Sequence, residues 1–582
     1  MVAPVRRPNP RLSNLEAPDN PGELRKQKKT VQIYDTTLRD GSQGEGISLT
    51  VPDKLKLAQR LDEFGAHYIE GGWPGSNPKD ESFFAQCKGL DNAKLVAFGS
   101  TRYKGTTCEH DKNVQALMKA DTPVVTLVGK AWDHQVSVVL EATLDENLAM
   151  ISDTVAFFKR KGREVMLDAE HFYDGYKASP AYALSCLHAA VKAGVDVLVL
   201  CDTNGGTLPW EIDEITRVVV AEFPTVRIGI HCHNDMELAV SNTIAAVHAG
   251  ATLVQGTING FGERTGNANL MSIVPTLQLK MGHDCVGDRL QQLTDLSRYT
   301  DEITNQPHVP NRPYVGASSF AHKGGLHVAA VLKDENTYQH IDPVLVGNER
   351  RILVSELSGR RNILTKAEEL GLHPADESKD GVEWNVRVKA VLEQVKELEN
   401  KGYSFEGAEA SLELMLRRTV HGYRPPFELL DFSVSTDNKR VVYGNVLNAT
   451  PNNESVTQAS VKLALLGPED GGDQCPTKIC FEIAEGNGPV DAVNGALQKC
   501  LLPVYAPLRS VSLVDYKVRI LDNASGTAAI TRVMVEFEES SNGKRWTTVY
   551  AHPNIIVASV NALMDGFEVA MWDQLPQCII NG

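Results

Sequence analysis

The chain is 582 residues long, with 42% apolar and 23% charged residues, a globular composition that argues against a collagen-like rod, a coiled coil or disorder over most of its length. Lys and Arg number 58 against 74 Asp and Glu, a net charge of −16; a surface that acidic repels phosphate backbones and anionic lipid, which speaks against nucleic-acid or membrane binding. Ten cysteines are scattered without a CxxC pair, so reduced thiols in a cytoplasmic compartment are expected rather than a disulfide framework or zinc ribbon.

Residues 1–30 are Pro-rich and polar and read as a disordered tail. The tail lacks the apolar core of a secretory signal; its early Arg6, Arg7 and Arg11 leave organellar import open. No apolar run approaches the ~20 residues a transmembrane helix needs. From residue 31 a short apolar run, a polar or Gly-containing tip and a helix-period segment recur. The runs are 31–35, 67–72, 94–100, 124–129, 164–170, 196–202, 227–233 and 252–260. Eight near-continuous apolar strands, one per βα unit, predict a (β/α)8 TIM barrel over 31–290. In the first connecting helix Thr50 and Asp53 form a capping box, Leu57, Leu61 and Phe64 share a face, and Gly65 ends it. An open doubly wound sheet is the rival, but neither GxGxxG nor GxxxxGK[ST] occurs.

Residues 291–427 read as helical subdomains, with segments 305–327 and about 370–385 resisting a helical assignment. From 428 to 582 the pattern turns to period-2 alternation, as in 515–521, 532–539 and 545–550. VDAVNGAL (490–497) and VASVNALM (557–564) each follow a set of strands. That predicts a duplicated α+β domain, distinct from the barrel.

The chemistry sits at strand ends. His231 and His233 close the seventh strand; at i and i+2 their side chains share a face and can reach one ion. An isolated HxH is a weak signal, but active sites of this fold lie at this rim. Asp40 follows the first strand, two places away in a closed barrel, and could supply a third ligand, although an Asp-Gly pair on its own reads first as a turn. Two imidazoles and a carboxylate suit Mg²⁺, Mn²⁺ or Zn²⁺. Arg39 offers a cation for a developing oxyanion. Glu170 ends the fifth strand as a candidate base, Thr203 closes the sixth as a hydrogen-bonding group for a substrate carboxylate, and Asn267 tips the eighth as a supporter of the ligands.

At these residues the sequence resembles the DRE-TIM metallolyase superfamily: DTTLRDG at 35–41, HxHND at 231–235 and GERTGNANL at 262–270. Within it the chain is similar to the Claisen-condensing synthases of isopropylmalate, homocitrate and citramalate, from about residue 30 to the C-terminus, including GNGPVDA at 486–492. QGEGIS (43–48), EGGWPGSNPKD (70–80), VGASSFAHKGGLH (315–327) and GYSFEGAEASLELMLRR (402–418) look like the citramalate branch. The isopropylmalate branch usually has Phe in place of Trp73 and GIHQDG where this chain has residues 325–330.

The resemblance implies a metal-dependent condensation of acetyl-CoA with pyruvate, giving citramalate and CoA, early in a route to isoleucine. Asp40, His231 and His233 would hold the metal with Asn267 beside them, Arg39 would stabilise the oxyanion, and Glu170 and Thr203 would line the oxo-acid site. A bulky Trp73 on the second strand tip fits a pocket shrunk to pyruvate's methyl, although one methylene discriminates by only ~1–3 kcal/mol. His327 matches the family's catalytic histidine and Tyr338 a tyrosine near the reacting thioester, both reaching a partner's barrel mouth, so a homodimer is implied. His327 and Glu170 both stand as candidates for the base. The C-terminal domain implies an isoleucine effector, although Val549-Tyr550-Ala551-His552 departs from the family's usual Val-Gly-Val-Ser. The rivals are the same chemistry on a larger oxo acid, as in isopropylmalate or homocitrate synthases, and a non-catalytic amino-acid sensor. Against the sensor count the intact Arg39, Asp40, Glu170, His231, His233 and His327.

Overall fold

The computed structural model describes residues 29–372, 377–419, 423–438, 455–466, 477–522, 526 and 528–571; nearly all of the 1–30 segment read as a tail lies outside them. The chain divides into two compact units, one of residues up to 320 with 340–350, the other of 321–339 with the chain from 351 onward.

In the first unit eight parallel strands close into a barrel in sequence order: β1 (Gln32–Asp35), β2 (Tyr68–Gly72), β3 (Lys94–Ser100), β4 (Val124–Lys130), β5 (Glu164–Glu170), β6 (Val197–Asp202), β7 (Arg227–Cys232) and β8 (Leu253–Gly256). Closure runs through the β1–β8 ladder, from Gln32 opposite Leu253 to Asp35 opposite Gly256. Helix Val51–Phe64 follows the sequence closely: Thr50 and Asp53 cap each other, and Gly65 ends it at φ 94°. Two strands stop short of expectation. His233 leaves the β7 ladder and bridges antiparallel to Asn267, while β8 ends at Gly256 because Asn259 adopts φ 61° and ties its side chain to Ser297 and Asp301.

The barrel interior has two levels. Tyr34, Tyr68, Val96, Val124, Met166, Val197, Val199 and Leu253 make an apolar floor. Two residues further along their strands, on the same inward face, stand Glu70, Thr126, Asp168 and Gln255, all buried. At the N-terminal end Glu164 accepts from Tyr68 Oη (2.8 Å) and Arg227 Nη2 (2.7 Å), while Arg227 Nη1 reaches Gln32 at 2.6 Å. Polar groups thus seal the bottom, leaving the C-terminal rim for chemistry.

In the second unit β9 (Ala321–His322) pairs with β10 (Arg351–Ile352), followed by helices Arg360–Glu369, Glu377–Asn400 and Glu409–Arg417. Two segments expected to resist helix are helical in part: Gly325–Val331 is a helix, and the charged stretch joins the long helix from Glu377 onward. Charge opposes burial, not helix formation: Glu, Lys and Arg are good helix formers on a solvated face. Then β11 (Phe427–Asn438), β12 (Ser455–Leu466) and β13 (Thr477–Gly486) form one antiparallel sheet. β14 (Val511–Ile520), β15 (Thr531–Glu539) and β16 (Lys544–His552) form another. Each is followed by a helix, Pro489–Leu501 and Ile555–Met571, and the helices pack with both sheets around one core. The first strand of each sheet shifts register at the same place, Leu429/Asp431 and Leu513/Asp515. The duplication read from sequence therefore extends to the bulges. Among the described residues no helix is long and apolar enough to cross a membrane.

Asp35 ties the barrel to its rim. Its carboxylate accepts from Thr37 N (2.9 Å) and Thr37 Oγ1 (2.8 Å), and Thr37 Oγ1 accepts from Ile258 N beyond β8 (2.8 Å). Burial, with a smaller push from nearby Glu70, lifts this carboxyl to about 7 against the pull of the Thr37 hydrogen bonds. Folded Asp35 therefore holds a proton that the unfolded chain releases near pH 4, a contribution to stability present at low pH and lost as pH rises through about 7. Asp35→Asn lacks it. Its stability relative to the parent is expected to climb by on the order of 1 kcal/mol per pH unit between pH 5 and 7 and then level off, measured by urea unfolding. A gap that does not change with pH would contradict this.

Candidate active site

The first rim loop carries two charges into the mouth. After the Asp35–Thr37 turn the chain presents Arg39 and Asp40, then a 3-10 turn at Gly41–Gln43. The Arg39 guanidinium lies over the Phe98 ring at 3.9 Å and bonds to Glu70 through Nε, with Nη1 3.5 Å from Asp40 Oδ2. Glu70 is fully buried and also accepts from Tyr34 Oη and from Thr36 Oγ1 (2.8 Å). A buried carboxylate so surrounded is compensated on every side, and it holds Arg39 still.

Asp40, His231 and His233 are all buried and offer ligand atoms that lie within 4.8 Å of one another. His231 Nε2 is 3.5 Å from Asp40 Oδ2, and the two imidazole rings sit 5.2 Å apart. Burial raises Asp40, but Arg39, both histidines and a hydrogen bond with Asn267 outweigh it and hold the carboxyl below its ordinary value. Burial pushes His231 down, and pushes His233 down to about 4 with His231 adding in the same direction and Asp40 opposing. The site at neutral pH is thus a carboxylate and two neutral imidazoles, the protonation states a divalent ion requires. His233 Nδ1 and Asn267 Oδ1 are buried without a hydrogen-bond partner among the described residues. Buried atoms of that kind are normally satisfied, so the donor set fits a cation.

Around these three the rim supplies a cleft of about 830 Å³. Arg39, Trp73, Glu170 and Thr203 line it together with the three metal-type side chains. Trp73 packs edge-on to Phe98 (5.6 Å) and donates from Nε1 to Asn113 Oδ1 at 2.7 Å, so its ring is fixed. Glu170 pairs with Lys130 on the next strand. Thr203 Oγ1 accepts from His171 N at 2.9 Å, while its carbonyl accepts from Arg264, which also grips Asp235 at 2.8 Å. Asn267 donates to the Phe261 carbonyl at 3.1 Å. Gly262 passes so close that a Cβ there would lie 2.2 Å from Asn267 Nδ2. His327 and Tyr338 belong to the other unit, where their rings stack at 4.2 Å.

Five polar groups at the mouth escape a reading of strand ends alone: Glu70, Lys130, Asp168, Gln255 and Arg264. For Glu70, Asp168 and Gln255 the signal is a polar side chain inside an otherwise apolar run, in YIEGG, EVMLDAE and LVQG. Burying such a group is costly unless it is paired. Asp168 shows that cost: burial lifts it to about 8, with Glu70 adding and Arg39 opposing.

Three family models match the chain: an HMGL-like model over residues 30–300, a homocitrate synthase post-HMGL domain-like model over 314–402, and a LeuA allosteric (dimerisation) domain over 406–571. The chain is similar to an (R)-citramalate synthase of Aquifex aeolicus, 49% identical over 92% of this chain and 96% of that one. It is also similar to an (R)-citramalate synthase of Geobacter sulfurreducens, at 48% over 92% and 97%. A probable 2-isopropylmalate synthase of Methanopyrus kandleri is 34% identical over 92% and 97%.

Removing one partner of a buried ion pair strands the other. Glu70→Leu is expected to cost about 3–5 kcal/mol of stability. Adding Arg39→Met should recover part of that loss in urea unfolding, because the stranded cation is then gone. A double variant no more stable than the single one would show that the pair is not what Glu70 holds.

Proposed function

The chain belongs to the (R)-citramalate synthase family, and from that premise we propose that its barrel mouth joins acetyl-CoA, pyruvate and water into citramalate and CoA. The observation that carries this is the cluster of Asp40, His231 and His233 at the C-terminal rim, with Arg39 fixed beside it. Those three side chains would hold a divalent ion, Mn²⁺, Mg²⁺ or Zn²⁺, which when bound supplies Lewis-acid polarisation of the oxo acid's carbonyl.

The protein's own groups do the rest. A base takes a proton from the acetyl methyl group, and that carbon bonds to pyruvate C2 while the carbonyl electron pair moves onto oxygen. Arg39, immobilised by Glu70, faces the alkoxide charge without having to reorganise. The alkoxide then takes up a proton to give the tertiary alcohol, and water cleaves the thioester, its hydroxyl going to the acyl carbon and its proton to the leaving CoA thiolate, which makes the sequence irreversible. Glu170 and His327 are the two candidates for the base, and Tyr338, stacked on His327, attends the thioester. Thr203 binds the pyruvate carboxylate, and Asn267 supports the metal ligands. The rigid Trp73–Phe98 pair narrows the pocket around pyruvate's methyl.

The enzyme acts as a homodimer, in keeping with the LeuA dimerisation match. Its cysteines among the described residues are free and mostly buried, which suits the cytoplasm. Isoleucine is the effector of the C-terminal domain, where Tyr550 packs edge-on against Tyr403 at 5.5 Å.

A panel of oxo acids with detection of the released CoA thiol tests the substrate. Pyruvate should exceed 2-oxobutyrate in kcat/KM by about 10-fold or more, and 2-oxoisovalerate and 2-oxoglutarate by a wider margin. A preference for either of those two would instead identify an isopropylmalate or homocitrate synthase. Asp40→Ala and His231→Ala should remove turnover while the circular dichroism spectrum stays that of the parent.

A further inference from the structure

Of the two histidines at the rim, one is held from behind. His231 Nδ1 lies 2.9 Å from Gln255 Oε1, and Gln255 Nε2 donates to Asp168 Oδ1, also at 2.9 Å. The three residues come from β7, β8 and β5, so the relay crosses the barrel interior. Gln255 is fully buried and Asp168 nearly so.

The direction of each hydrogen bond follows from the chemistry of its ends. An amide offers two different faces, a carbonyl oxygen that only accepts and a nitrogen that only donates. Asp168 Oδ1 accepts from Gln255 Nε2, a role that a carboxyl oxygen keeps when the group's proton sits on the other oxygen, so Gln255 turns its nitrogen there and its oxygen toward His231. That oxygen in turn demands a hydrogen on Nδ1. The imidazole lone pair is then left on Nε2, the nitrogen facing Asp40. We infer that Asp168 and Gln255 are positioning residues that lock His231 into the Nδ1–H tautomer and so aim its Nε2 lone pair at the metal. Orienting partners behind a ligating histidine commonly work this way. The inference rests on the metal site proposed above.

The test is calorimetric titration of Mn²⁺ into the metal-stripped full chain. Gln255→Leu removes the acceptor and should weaken Mn²⁺ binding by about 10- to 100-fold. Gln255→Glu still presents an acceptor to Nδ1–H and should stay within a few fold of the parent. Asp168→Asn lets the amide turn over and should weaken binding in the same sense; it serves if Gln255→Leu does not fold. Melting of each metal-free variant separates loss of the tautomer lock from loss of packing. Parental affinity in Gln255→Leu and Asp168→Asn would overturn the relay alone. So would a Gln255→Glu variant that binds as weakly as Gln255→Leu, since the acceptor would then not be what matters. A parent that binds no Mn²⁺ would instead sink the metal reading beneath it.

Discussion

Charge inside a closed barrel has nowhere to go, and the architecture of this protein follows from how that constraint is met. Arg39, Glu70, Asp168 and Asp40 all lie at or inside the C-terminal mouth, largely shielded from water. An unpaired ion in that setting costs several kcal/mol. Each is therefore paired or neutralised: Glu70 takes Arg39, Tyr34 and Thr36, Asp40 lies beside Arg39 and His231, and Asp168, lifted to about 8 by burial, takes Gln255. Pairing makes these groups rigid as well as tolerable. A guanidinium fixed by its counter-ion is a preorganised positive charge, which is the form the oxyanion role proposed for Arg39 would require.

The fold is legible because its strands are buried on both faces and read as continuous apolar runs. Their C-terminal ends can be located from the polar residues that interrupt them. That is why Arg39, Asp40, Glu170, Thr203, His231 and His233 stand out in the sequence and line one cleft; Trp73, marked by family likeness alone, lines it too. What the pattern hides is the layer below. Glu70 and Gln255 sit within β2 and β8, where a polar residue in an apolar run marks them, but the inward direction and the pairing that decide their role do not show in a linear reading. The last residues of two strands are equally opaque: His233 and Asn259 leave β7 and β8 for tertiary partners, and local propensity carries no trace of that.

The second unit repeats the lesson in another form. Period-2 alternation marks its strands and two similar helices mark its duplication, while the matched bulges at 429/431 and 513/515 become visible only in the paired register. The helix from Glu377 is obscured by its charge, since a polar surface reads much like a loop when nothing shows which face is covered. His327 and Tyr338, by contrast, are marked only by family likeness. Their stacking is a contact that spacing alone could not supply.

The central claim is that Asp40, His231 and His233 share one divalent ion. Anomalous scattering from a crystal of the full chain soaked in Mn²⁺ tests it most directly. One strong peak is expected about 2 Å from a carboxylate oxygen of Asp40 and from one nitrogen of each imidazole. No peak there, or a peak bound elsewhere while these three side chains stay unligated, would contradict it.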